Sequence, residues 1–150
     1  MALNPAFVGR TFPATAPYLV SREKIREFAD AVGEPSPACR DLAAARALGH
    51  PAIVAPPTFP VVLTIPAQRA ATADPALGLD YSRVVHGAQH IASDRAVRDG
   101  DELVVVVHVD GIRASGANGI LSLRSDVSTV DGERVCVVRA TLFARGTAAA

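Results

Sequence analysis

The feature that most constrains this chain is a run from about Thr58 to Ala73 that is apolar on nearly all sides at helical spacing: Phe59, Val61, Val62, Leu63, Ile65, Ala67, Ala70 and Ala71. A helix without a polar face has to be covered all round, so the rest of the chain must wrap it. Pro66 lies inside the run and predicts a kink. The wrapping comes afterwards. Segments from Ser82 to Arg95, Glu102 to Arg113, Gly119 to Val130 and Arg134 to Phe143 read as strands, rich in valine or alternating Ile120, Ser122, Arg124 and Asp126 against Leu121, Leu123, Ser125 and Val127. Turn chemistry separates them between Val97 and Asp101, between Ala114 and Asn118, and at Asp131-Gly132.

The first half holds helices. Ser21 is expected to cap a helix over residues 21–32, with Glu23 in its first turn, an apolar stripe of Ile25, Phe28, Ala29 and Val32, and Gly33 ending it. Two prolines in Glu34-Pro35-Ser36-Pro37 force an extended loop. Asp41 then caps a short helix from Leu42 to Leu48, closed by Gly49. Val8 to Tyr18 could hold an opening strand, and Ala148 to Ala150 reads as a frayed tail. Helices first and strands later argue for an α+β class, with one apolar helix wrapped by a curved antiparallel sheet of about five strands. The length of 150 residues suits one domain, 1–150.

Composition narrows the function. Hydrophobic residues make up 49% and charged residues 20%, which excludes a disordered polar chain. Lys+Arg at 15 balances Asp+Glu at 15, so the basic footprint of a nucleic-acid binder or a polybasic membrane anchor is missing. No apolar run approaches the ~20 residues of a membrane span. The first residues lack the pattern of a signal peptide, and the two cysteines, Cys39 and Cys136, form no disulfide framework, so a reducing cytoplasm is the expected location.

Metal and nucleotide chemistry find no support. Neither cysteine sits in a Cys-x-x-Cys pair, and His86 and His90 on a regular strand would share a face about 13 Å apart. Phosphate-cradling glycine motifs and the Gly-x-Ser-x-Gly elbow are absent. Cys136, between Val135 and Val137, reads as a small buried residue, and His50 as part of a loop. The unusual chemistry is concentrated in Gly33-Glu34-Pro35-Ser36-Pro37-Ala38-Cys39-Arg40-Asp41 and, further on, Ala55-Pro56-Pro57-Thr58-Phe59. A carboxylate, a hydroxyl and a thiol share a rigid loop that leads towards the start of the buried helix. By itself this admits two readings, loop packing or a site.

These segments resemble the hydratase loop of the MaoC-like, hot-dog-fold hydratases and dehydratases, whose motif runs Gly-Asp-x-Asn-Pro-x-His-x-Asp and, at the central helix, Ala-His-Gly. The stretch from Arg22 to Ala29, the strand Val85-His86-Gly87-Ala88-Gln89 and the turn from Val97 to Asp101 resemble more closely the small subunits of actinobacterial (3R)-hydroxyacyl-ACP dehydratases. The resemblance implies a hot-dog fold and a reaction that adds or removes water across a 2-enoyl/(3R)-3-hydroxyacyl thioester, with no cofactor and no metal. In such heterodimers one subunit keeps the Asp/His pair and the other shapes the acyl channel.

The departures fit the second kind. Glu34 stands at the Asp position, Ser36 at the Asn position and Cys39 at the His position. An unperturbed thiol is mostly protonated at neutral pH, and general acid–base work wants a group that titrates near the working pH. Pro57 falls at the glycine whose N–H polarises the thioester carbonyl, and proline has no N–H; losing such a donor costs about 10²–10³ in rate. Arg40 and Asp41 keep the pattern after the His position.

The expectation is an acyl-thioester-binding subunit, taking acyl-ACP or acyl-CoA, with Glu34 and Cys39 as degenerate catalytic positions. Ser36, Pro57, Thr58, Phe59, His86 and Gln89 are expected in substrate or partner contacts, and Val62 and Leu63 beside the acyl channel. The partner would be a catalytic MaoC-like subunit or a second copy, joined along an open sheet edge. The alternatives are a homodimeric hydratase that uses Glu34 and a catalytically silent thioester-binding or assembly module.

Overall fold

Local chemistry sets the helices of the first half. A computed structural model describes residues 2–147; the tail Ala148 to Ala150 lies outside the described residues. Strand β1 is Tyr18–Leu19, and helix α1 is Arg22–Val32. The Ser21 hydroxyl accepts from the Lys24 N–H at 3.2 Å, and Gly33 closes the helix with φ +71°, a left-handed conformation that costs glycine nothing. A 3₁₀ turn, Pro37–Cys39, precedes α2, Leu42–Ala47, whose cap is Asp41 accepting from the Ala44 N–H at 2.7 Å. Helix α3 is Val61–Thr72, followed by 3₁₀ turns at Pro75–Leu77 and Tyr81–Arg83. Strands β2, Val84–Ser93, β3, Glu102–Ser115, β4, Asn118–Thr129, and β5, Arg134–Ala144, complete the chain.

The strands form one antiparallel sheet in the order β1-β3-β4-β5-β2. The meander β3-β4-β5 occupies its middle, and β2 is an edge. Register puts Val107, Ser125 and Val138 side by side, and the face they share carries Val105, Leu123, Val127, Ala140 and Leu142, all buried. Helix α3 lies on that face through Leu63 and Ala67, in one apolar cluster with Val105, Val107 and Val138. One buried polar contact crosses the layer, from Gln68 Nε2 to Ser125 Oγ at 3.4 Å. Among the described residues no helix is long and apolar enough to cross a membrane.

Two expectations change. Val8 to Tyr18 is not a strand; only Tyr18–Leu19 pairs regularly with β3. Upstream of it, the N–H groups of Gly9, Phe12 and Thr15 donate to the carbonyls of Val109, Val107 and Val105 at 2.9–3.0 Å. Pro13 and Pro17 have no N–H, so the ladder breaks twice. The central helix is also not covered all round. It continues through Pro66, but Ile65, Pro66, Arg69 and Ala70 are exposed, with Ile65 at 39%. One chain's sheet covers one side of the helix, and the other side stays open.

Candidate functional site

The loop after α1 folds back on itself. The Glu34 N–H donates to the Ala29 carbonyl at 2.8 Å, and the Glu34 carboxylate accepts from the Ser36 N–H at 2.9 Å. The Ser36 hydroxyl accepts from the Ala38 N–H at 3.3 Å, and the Ser36 carbonyl accepts from the Cys39 N–H at 3.2 Å. Glu34, Ser36 and Cys39 therefore belong to one compact turn. Arg40 fastens it to α1 by donating to Asp30 at 2.8 Å and to the Ser36 carbonyl at 3.1 Å.

Cys39 is 3% exposed, and burial pushes its thiol up from the usual range, with the Glu34 charge adding to the rise and Arg40 opposing it. At neutral pH such a thiol stays protonated and is a poor proton acceptor. Cys136, fully buried in β5, is pushed up to about 11 by burial and then by Asp94.

The loop meets the start of α3. The Ala38 carbonyl accepts from the Val54 N–H at 3.2 Å, and Cys39, Ile53, Ala55 and Phe59 share one apolar cluster. Phe59 is fully buried, edge-on to Phe28 with ring centroids 5.4 Å apart, so it anchors the helix start and offers no free surface. Pro57 and Thr58 are exposed. The Phe59 N–H is bound to the Pro56 carbonyl at 2.9 Å, while the Thr58 N–H has no acceptor among the described residues. Pro57 and Pro60 line a cavity of about 180 Å³ with Ser93 at the end of β2 and Val97. Val62 and Leu63 line a separate apolar groove of about 420 Å³, closed on its other side by Tyr18 and Val105.

His86 and Gln89 are not part of this loop cluster. They stand on β2, where the register against β5 shifts between His86 and Ala88. Before the shift His86 opposes Leu142; after it Gln89 opposes Ala140. Directly opposed residues share a face, so both project to the side of the sheet that carries α3. His90 opposes Arg139 and points the other way, so the two histidines do not share a face as a regular strand would require. Gly87 makes the bulge possible: a Cβ there would lie 2.1 Å from the Phe143 ring. Among the described residues no group of three His, Cys, Asp or Glu side chains could hold a metal ion.

Sequence reasoning missed the charge network that holds the β2–β3 connection. Arg95 donates to both carboxylate oxygens of Asp101 at 2.9 Å and to Glu133 at 2.9 and 3.2 Å. Asp101 also accepts from the Arg98 N–H at 2.9 Å. Arg95 holds Glu133 below the usual carboxylate range. The residues were visible, but Glu133 joins the network from 38 positions away, on another turn.

The comparisons with known proteins agree on one family. Residues 6–138 match the model of the FAS1-like dehydratase domain region. A UPF0336 protein of Saccharopolyspora erythraea is 53% identical over 148 residues, covering 99% of this chain and 95% of that one. Another from Streptomyces coelicolor is 50% identical over 145 residues, covering 97% of each. Among solved structures, a MaoC-like dehydratase is 31% identical with a TM-score of 0.87; the match covers 93% of this chain but only 42% of that longer one. The HadBC (3R-hydroxyacyl-ACP dehydratase) complex of Mycobacterium tuberculosis is 28% identical with a TM-score of 0.82, covering 91% of this chain and 96% of that one. A helix laid on a five-stranded antiparallel sheet is the hot-dog arrangement of these neighbours, and the chain belongs to the FAS1-like dehydratase family.

Proposed function

We propose that this chain is the acyl-thioester-binding subunit of a (3R)-hydroxyacyl-ACP or enoyl-thioester dehydratase of fatty-acid synthesis, a single hot-dog domain working in the cytoplasm beside a MaoC-like partner that keeps the Asp and His. One observation carries the reading: the position of the family histidine holds Cys39, whose buried thiol stays protonated at neutral pH. A protonated thiol at that position cannot take a proton from water as the family histidine does. The loop nevertheless keeps its hydrogen-bonded turn, which suits a subunit that shapes a site without running it.

The open flank of the molecule supports a partner. Strand β2 is an edge of the sheet, paired on one side only among the described residues, and Tyr81 at 52% and Ile65 at 39% leave apolar surface uncovered near its start on the side that carries α3. An unpaired edge next to exposed apolar side chains is a ready surface for a second hot-dog subunit. Two solved neighbours, HadBC and the ChsH1-ChsH2 complex, are by name assemblies of two subunits. The groove of Val62 and Leu63 is apolar and large enough for part of an acyl chain.

The test is hydration of a short trans-2-enoyl thioester, followed by loss of absorbance. The purified chain alone should give no turnover above buffer, and turnover should appear when a MaoC-like subunit with an intact Asp/His loop is added. Turnover by the chain alone that disappears in Glu34→Gln would replace this reading with a homodimeric hydratase.

A further inference from the structure

Acidic and basic residues balance at 15 each along the chain, but they are not spread evenly. Helix α3 and strands β2 and β5 contain no Asp or Glu. The same elements, with the residues that adjoin them, carry Arg69, Arg83, Arg139 and Arg145. All four are exposed and have no carboxylate within salt-bridge distance among the described residues. The acids at the borders of these elements are engaged already. Asp80 accepts from the N–H and hydroxyl of Ser82 at 3.0 and 2.6 Å, Asp94 from Arg134 at 2.6 and 2.9 Å, and Asp74 faces Arg10 at 3.7 Å.

The register sharpens the imbalance. On the sheet face away from α3, one row crosses His108 on β3, Arg124 on β4, Arg139 on β5 and His90 on β2. Like charges directly opposed across strands destabilise a sheet. Arg124 is neutralised by Asp126 and Asp110, and Asp126 also meets His108 at 3.0 Å. Arg139 has no such partner, and it stands on the strand next to the open β2 edge. On the other face, Arg69 projects from the exposed side of α3 beside Tyr81, just ahead of β2. Uncompensated guanidinium groups therefore flank the edge on both faces of the sheet.

An open edge pairs through backbone groups, so by itself it accepts any strand, one from a second copy of this chain included. The side chains have to choose. In a two-fold pair of identical chains joined along β2, the same patch meets itself. This patch offers its own arginines no carboxylate. Like charges brought together at an interface suppress the wrong partner. We infer that the flank of α3, β2 and β5 selects its partner by charge: it fits a second hot-dog subunit whose facing helix and strand carry carboxylates, and it repels a copy of itself. This rests on the subunit reading above and names the chemistry that the partner has to present.

The experiment is analytical sedimentation of the chain, alone and mixed with a MaoC-like subunit that keeps the Asp and His. Alone, the chain should stay monomeric. The mixture should form a pair that weakens about tenfold as salt rises from about 0.1 to about 1 M, where the screening length falls from about 10 to about 3 Å. Reversing the charge in Arg69→Glu/Arg139→Glu should weaken the pair by about tenfold or more at the lower salt. Arg69→Gln/Arg139→Gln, which removes the charge without reversing it, should weaken the pair less and flatten its salt dependence. Circular dichroism checks that both variants fold. A tight dimer of the wild-type chain alone at the lower salt, a mixed pair indifferent to salt, or variants that pair as tightly as the wild type overturn the inference. So does a MaoC-like subunit without carboxylates on the facing elements that pairs equally well. An acidic carrier protein that binds the chain alone as tightly as the subunit does would show that the flank serves the carrier, and overturns it too. A mixed pair that hydrates enoyl thioesters yet ignores salt and charge reversal sinks this inference alone. A salt-sensitive pair without turnover sinks the subunit reading alone.

Discussion

His86 and Gln89 lie on the same face of the sheet although three positions separate them, because the strand bulges at Gly87 and shifts register by one residue. Without the bulge they would point to opposite faces. The bulge needs a residue without a side chain, since the Phe143 ring fills the space where a Cβ would stand.

The Gly87–Phe143 contact can be tested directly. Gly87→Ala should destabilise the fold by about 1–3 kcal/mol, the usual cost of overpacking. Phe143→Ala opens that space, so the double variant should be more stable than the sum of the single losses predicts. Urea unfolding of the two single variants and the double variant measures the coupling.

The Arg95 network should dominate local stability at the β2–β3 connection. The Asp101 side chain is 6% exposed and that of Arg95 17%. Asp101→Ala leaves a largely buried guanidinium without its bidentate partner and should cost about 3 kcal/mol. Glu133 is half exposed, so Glu133→Gln should cost much less than Asp101→Ala. Urea unfolding at neutral pH compares the two.

The thiols set an alkaline limit. Cys136 titrates at an ordinary 9.0 when unfolded and at about 11 when folded. A folded-state value above the unfolded one stabilises the fold fully below pH 9, and that stabilisation is lost as pH rises towards 11. The wild type should therefore lose stability across that window more steeply than Cys136→Ala, measured by unfolding midpoints from pH 8 to 11. Cys39, shifted in the same direction, should react with a disulfide reagent at pH 8 only slowly in the folded protein.

The partner surface predicts its own variant. Ile65 is 39% exposed, so Ile65→Glu should change the folded chain's midpoint by less than about 1 kcal/mol. It should still prevent assembly with a catalytic subunit, because a carboxylate would be buried unpaired between the two. Sedimentation of the mixture against circular dichroism of the variant alone separates assembly from folding.

Much of the fold was legible in the residues. Ser21 and Gly33 bounded α1, Asp41 capped α2, and valine-rich alternation with Asp131-Gly132 set out the β3-β4-β5 meander, because caps, turns and period-2 patterns act within a few residues. That Glu34, Ser36 and Cys39 share one short loop was legible for the same reason. Other features were decided only in three dimensions. The run from Thr58 to Ala73 looked apolar all round, yet which side is covered depends on where one sheet can reach. The common face of His86 and Gln89 depends on a register shift, the burial of Phe59 on Phe28, and the Arg95–Asp101–Glu133 network on the β2–β3 connection meeting the distant β4–β5 turn. Sequence pattern encodes the interactions of near neighbours, whereas burial and pairing between distant segments exist only once the chain has closed on itself.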